Sequence, residues 1–164
     1  MKIRLDEGYL RSVMFGLQDG LVSTTGVVVG ISAGVSDKAI IILASFVAIS
    51  VEASSMAAGE YSSEKAVHQL DKRHRHKDDL LMDAVLMFIS YFLAGMVPIL
   101  PFIFLPIEIA RFVSVIGALL ALFVVGYFKG KLVKYKALRS AVEMFVIGGI
   151  ATAIGLIVGN FLKV

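Results

Sequence analysis

Hydrophobic positions in this chain gather into long blocks separated by short polar runs. The apolar blocks are Ser12–Ser36, Ala39–Gly59, Ala84–Leu105, Phe112–Phe128 and Met144–Leu162. A helix that crosses a bilayer needs about 20 mostly apolar residues. With their flanking turns the blocks therefore predict five spanning helices, at 12–36, 39–59, 80–105, 109–129 and 140–162. The fourth block is short at 17 residues, but Tyr127 and Phe128 suit a membrane interface and Lys129 can snorkel from its end. The expected fold is an all-α integral membrane protein, one transmembrane domain over residues 1–164. The first block is as long as the others and lacks a small-residue cleavage context, so direct membrane insertion is expected instead of a cleaved signal.

The connections are short. Asp37-Lys38 separates the first two helices, which must form an antiparallel hairpin. All three prolines, Pro98, Pro101 and Pro106, fall at the end of the third helix, where loss of a backbone donor predicts a kink or a loop. A charged connection is expected over 62–79, and a basic one over Lys129–Arg139.

Composition agrees with a lipid solvent. The chain is 58% hydrophobic, with a mean hydropathy of +0.86, against roughly 45–50% apolar residues in soluble domains. It has no Cys, which excludes thiolate metal sites, redox chemistry and Cys nucleophiles. It has no Gly-rich phosphate loop and no closely spaced His-Glu zinc motif. No His lies within a span to serve a Ser nucleophile, so an enzyme is not expected. The sequence pI near 9.2 raises nucleic acid as a partner, but the placement of the cations accounts for it otherwise. Lys2, Arg4 and Arg11 precede the first helix. Lys65, Lys72, Arg73, Arg75 and Lys77 follow the second, and Lys129, Lys131, Lys134, Lys136 and Arg139 follow the fourth. With five spans these segments share one side and hold 13 of the 16 Lys and Arg, leaving Lys38, Arg111 and Lys163 opposite. The positive-inside rule then puts the N-terminus in the cytoplasm and the C-terminus outside.

Ionisable groups inside hydrocarbon are costly and mark ion or proton sites. Asp19 in the first helix and Glu52 in the second lie eight residues inward from Arg11 and Glu60, each about 12 Å deep at 1.5 Å per residue. Glu52, Met56 and Glu60 are spaced i, i+4, i+8 and line one stripe. Carboxylate oxygens suit hard divalent cations and a thioether favours softer first-row metals, so this ladder suits Fe²⁺ or Mn²⁺. The plainer alternatives are a core-filling Met56 and protonated carboxyls bonding helix to helix.

Gly16 and Gly20, then Gly26, Gly30 and Gly34, recur at four-residue spacing in the first helix, as do Gly155 and Gly159 in the fifth. Such stripes permit close helix packing, within one chain or against a second copy. Ser23, Thr24 and Thr25 either bond their own backbone or offer oxygens to an ion. His68, His74 and His76 lie among Asp71, Asp78 and Asp79, either as loop ligands that gather or sense a metal or as a solvated connection. Asp83, Glu143 and Glu108 are placed near helix N-termini, where the dipole favours acids.

Two segments carry a likeness to a known family. Phe15–Gly34, FGLQDGLVSTTGVVVGISAG, resembles the first helix of the vacuolar iron transporter family, with its aspartate–glycine pair and Gly-rich continuation. Ser55–Tyr61, SMAAGEY, followed by Ser62 and Ser63, is similar to the family's second-helix signature. The motifs lie within the first 65 residues or so, while the five-span topology covers the whole chain. The resemblance implies a homodimer that exports ferrous iron, and often manganese, from the cytosol in exchange for protons, along a path at the dimer interface. It implies transport-site roles for Asp19 and Met56. The glutamate of plant members aligns here with Ala48, while Glu52 takes a position usually small in the family, one turn away. The long Glu-rich metal-binding insertion of vacuolar members is replaced by Ser62–Asp79, 18 residues. This implies a compact prokaryotic type in the plasma membrane.

The expected function is a homodimeric exporter of Fe²⁺ or Mn²⁺ coupled to protons, with Asp19, Glu52, Met56 and Glu60 as metal residues and no permanently bound cofactor. In this scheme incoming metal displaces protons from Asp19 and Glu52, and outward exposure with reprotonation releases it. The competing expectations are a passive cation channel, a non-transporting membrane interaction protein whose acids only pack helices, and an organic-cation transporter.

Overall fold

The computed structural model describes residues 7–70 and 79–163. They form five α-helices, α1 (Glu7–Gly34), α2 (Lys38–Leu70), α3 (Leu80–Phe104), α4 (Ile107–Leu132) and α5 (Ala137–Phe161). Each is long and apolar enough to cross a membrane. The chain is thus an all-α, five-span membrane protein.

The helix ends follow local chemistry. Asp37 accepts from the amides of Ala39 at 2.8 Å and Ile40 at 3.3 Å, satisfying orphan donors at the start of α2. Asp79 does the same for α3, accepting from Leu81 and Met82. Between α4 and α5 the chain turns through Lys134, whose φ of 54° makes it the one described non-glycine residue in the left-handed region.

Two helices run further than the apolar blocks indicate. α2 continues through Tyr61–Leu70, so the first half of the charged connection expected over 62–79 is helical. That segment contains no Gly or Pro, and Glu64 within it is buried against the bundle. α3 passes through Pro98 and Pro101 to Phe104 without becoming a loop. Proline removes a donor and leaves its own carbonyl intact. Ser114 of α4 donates to the Pro98 carbonyl at 2.8 Å, which ties α3 to α4 at this point. α5 starts at Ala137, which moves Glu143 into the second turn, where it pairs with exposed Arg139 at 3.0 Å.

α1 is the central helix, packed chiefly on α3 and α5, while α2 leans mainly on α3. The small residues of α1 make this possible. A Cβ at Gly16 would lie 2.9 Å from the Met87 carbonyl oxygen, and one at Gly30 would lie 2.8 Å from that of Gly155. Gly16 and Gly20 thus face the α3 backbone, and Gly26, Gly30 and Gly34 face that of α5. Apolar cores form on both sides of this axis, one around Val28, Ile49, Tyr91 and Phe102, the other around Leu21, Leu122 and Met144. The outer faces carry Leu43, Val47 and Val51 of α2, Leu120 and Val124 of α4, and Ile150, Ile154 and Ile157 of α5, all exposed. Such a surface is suited to lipid.

Candidate functional site

Midway along the bundle, three helices meet around one carboxylate. Glu52 of α2 accepts from the hydroxyl of Tyr91 of α3 at 2.5 Å, and from that of Ser23 of α1 at 3.0 Å, both on Oε2. The Tyr91 and Ser23 hydroxyls also touch each other, closing a ring of three oxygens. Tyr91 is only 1% exposed, held where α3 lies flush against Gly20 of α1. Asp19 sits one helical turn from Ser23. It is half-buried, within electrostatic reach of Glu52 and Tyr91, and takes no hydrogen bond from the described residues. The two carboxyls singled out in the sequence are therefore within electrostatic reach of each other from α1 and α2. Tyr91 is the member that sequence reading missed. A tyrosine on a predominantly apolar helix is an ordinary core residue until its hydroxyl partner is known.

The stripe Glu52–Met56–Glu60 leads from this ring toward the end of the bundle that carries Arg11. Met56 packs against the apolar cluster containing Ile49, Ala53 and Tyr91. Glu60 is already engaged, accepting from Ser12 at 2.8 Å and pairing with Arg11 at 3.0 Å. Arg11 also pairs with Glu64, one turn further along α2 and only 4% exposed. Ser12 reaches Asp83 of α3 at 3.4 Å, and Asp83 is fully buried. Asp83 thus belongs to a buried polar cluster as well as to the first turn of α3. Glu64 extends the four-residue spacing of the stripe, a periodicity that the expected non-helical connection concealed. Among the described residues no three His, Asp or Glu side chains are arranged to hold one metal ion. Along the stripe, Glu52 engages Ser23 and Tyr91 deep in the bundle, and Glu60 engages Ser12 and Arg11 nearer its end.

The nitrogen Nδ1 of His68 lies 2.9 Å from the Glu64 carbonyl oxygen in the last turns of α2. His74 and His76 lie outside the described residues. At the opposite end, cations close carbonyl ends of helices. Arg111 donates to the Ser32 hydroxyl at 3.0 Å and to the Ser32 carbonyl, and Lys38 donates to the Ile103 carbonyl at 3.1 Å. A cation at a helix C-terminus is favoured both by the orphan acceptors and by the dipole.

Five spanning helices and a carboxyl pair within them define a multi-pass membrane protein with an intramembrane acidic site, the type of group that marks ion and proton pathways. The VIT family matches the chain over residues 10–82 and 68–160, and the chain belongs to that family. It is 28% identical over 157 residues to vacuolar iron transporter homolog 2 of Arabidopsis thaliana, covering 89% of this chain and 80% of the relative. Vacuolar iron transporter 1 of the same plant is 43% identical over 74 residues, 44% of this chain and 30% of that protein. An uncharacterized protein of Methanocaldococcus jannaschii is 27% identical over 167 residues, 90% of this chain and 86% of the relative.

Proposed function

We propose that this chain transports divalent metal, moving Fe²⁺ and Mn²⁺ out of the cytosol in exchange for protons. The observation that carries this reading is the presence of two carboxyls, Asp19 and Glu52, within spanning helices and within electrostatic reach of each other. Membership of a family whose relatives include named iron transporters supports the cargo. The concentration of 13 of 16 cations in alternate connections supports a cytoplasmic N-terminus. In that orientation the Arg11–Glu60–Glu64 cluster faces the cytosol.

The chemistry is competition for carboxylates. A divalent cation favours ionised Asp19 and Glu52 by Coulomb attraction, and protons returning from outside release it. Met56 supplies a soft contact beside the oxygens and Glu60 a shallower carboxylate. An octahedral oxygen site of the kind that suits Mn²⁺ takes six ligands, more than the carboxyl oxygens of Asp19 and Glu52 alone. A homodimer with the path between its copies supplies a second set, and water the remainder. With only 18 residues at Ser62–Asp79 in place of a long metal-binding insertion, the reading places the protein in the plasma membrane. A second reading, helix-bonding acids without transport, draws on the bridge that Glu52 makes between α1 and α3.

Uptake of Fe²⁺ and Mn²⁺ into proteoliposomes under an imposed pH gradient decides between them. Gradient-driven flux in the wild type, lost in Asp19→Asn, is the expected result. Absence of flux in a folded wild type, or pH-independent flux unaltered by Asp19→Asn, would sink the coupled-transport reading.

A further inference from the structure

The turn between α4 and α5 gathers positive charge and leaves most of it unpaired. Lys134, Lys136 and Arg139 are all exposed there. Of the three, Arg139 alone has an acidic partner among the described residues, Glu143 at 3.0 Å. We propose that this turn and the outward face of α5 beyond it bind an anionic phospholipid, with the phosphate on Lys134, Lys136 and Arg139 and an acyl chain laid along α5. The proposal is independent of the transport reading above.

The shape beside the cations fits a lipid tail. Leu138, Val142 and Val146 stand one turn apart on α5, and Arg139, Glu143 and Ile147 form the adjacent row. Between these ridges lies an almost wholly apolar furrow, with Lys136 and Arg139 at its rim. Leu138, Val142, Val146 and Ile147 are exposed, and no other helix covers them. From Lys136 to Ile147 the furrow runs about 16 Å at 1.5 Å per residue, near half of the roughly 30 Å hydrocarbon core. That is the depth of one leaflet, which a lipid tail fills and a spanning partner helix would exceed. Glu143 is the one acid on the furrow, and Arg139 holds it through Nε. The terminal guanidinium nitrogens are left for a phosphate, which they can bind in a paired, charge-assisted way.

Charge selects the occupant. Three cations stand against one acid, so a net negative headgroup is attracted, while a zwitterion brings its own ammonium and gains less. A second copy inserted the same way would set an identical basic rim beside the first, and like charges repel. Tyr135, 50% exposed in the same turn, suits the headgroup level. A basic segment at a membrane surface gains about fivefold in affinity for anionic lipid with each Lys or Arg. In the orientation proposed above the rim meets the cytoplasmic leaflet, which carries the anionic lipid.

Native mass spectrometry of the full chain tests this, with release from micelles doped with phosphatidylglycerol and phosphatidylcholine of the same tails. The wild type is expected to hold phosphatidylglycerol more tightly than phosphatidylcholine by about tenfold or more. Lys134→Gln/Lys136→Gln should weaken that binding by about fivefold per cation, and Glu143→Gln should strengthen it. Lys65→Gln/Lys129→Gln removes the same charge from α2 and from a separate hollow that Lys129 lines with Glu7 and Arg11. This control should stay within about twofold of the wild type, because surface charge acts over no more than a Debye length. Equal retention of the two lipids by the wild type would overturn the proposal. Equal weakening in both double variants would do so as well, since the cations would then act only as a diffuse field. Displacement by glycerol phosphate, which has the headgroup charge without tails, would overturn it in favour of a free-anion site. A wild-type dimer that Lys134→Gln/Lys136→Gln dissociates would overturn it by assigning the face to a second copy.

Discussion

The contact between α1 and α5 depends on the absence of side chains, and its energetic weight can be worked out at Gly30. A Cβ there would lie 2.8 Å from the Gly155 carbonyl oxygen, with the Gly155 carbonyl carbon at 3.2 Å and Cα at 3.3 Å. Ordinary contact begins near 3.4 Å, so Gly30→Ala forces the two helices apart by about 0.6 Å. All three neighbours are backbone atoms, and no rotamer change can relieve them. Overpacking of this kind costs typically about 1–3 kcal/mol. Replacing a helical Gly by Ala recovers about 0.5–1 kcal/mol of backbone entropy at either site, so a matched control isolates the steric cost. Gly149, also on α5, has nothing within 4 Å of its would-be Cβ. Denaturant or thermal unfolding in one detergent should place Gly30→Ala about 1–3 kcal/mol below Gly149→Ala. Equal stability of the two variants would show that α1 and α5 do not pack through their glycines, and the central position of α1 would have to be abandoned.

Other perturbations test the polar sites. Asp19→Asn should abolish the Mn²⁺-dependent rise in melting stability, which for the wild type is expected to be about 2.7 kcal/mol at a hundredfold excess over Kd; retention of the full shift places the metal elsewhere. Arg11→Ala leaves Glu60 and Glu64, 11% and 5% exposed, without their shared cation. Since Arg11 itself is 55% exposed, the loss should be moderate, about 1–3 kcal/mol. Adding Glu64→Gln to that background should recover part of it in a thermal double-mutant cycle. Ser114→Ala removes the buried donor to the Pro98 carbonyl and should cost about 1 kcal/mol, read by unfolding and absent if the proline carbonyl is otherwise satisfied. Arg111→Met should lower stability by about 1–2 kcal/mol through loss of both bonds to Ser32, with the loss largest at low ionic strength.

Hydropathy alone determined that this chain makes five spanning helices, because in lipid a long apolar segment has no stable alternative to satisfying its own backbone. It also drew attention to Asp19 and Glu52, since an ionisable residue among twenty apolar ones stands out without any tertiary information. Helix ends were less legible: a hydropathy boundary marks where lipid stops, whereas α2 continues to Leu70 because Glu64 and Arg11 hold its charged extension against the bundle. Four-residue spacing identified the glycines as a packing surface, but only the fold assigned Gly16 and Gly20 to α3 and Gly26, Gly30 and Gly34 to α5. The same holds for Glu60, a ladder rung by periodicity and an ion-pair partner of Arg11 in space. Periodicity orders residues along one helix and is silent about what the next helix brings to meet them. Tyr91 closes the ring at Glu52 from 39 positions away, and the choice between a bonded and an open carboxylate rested on that contact between helices.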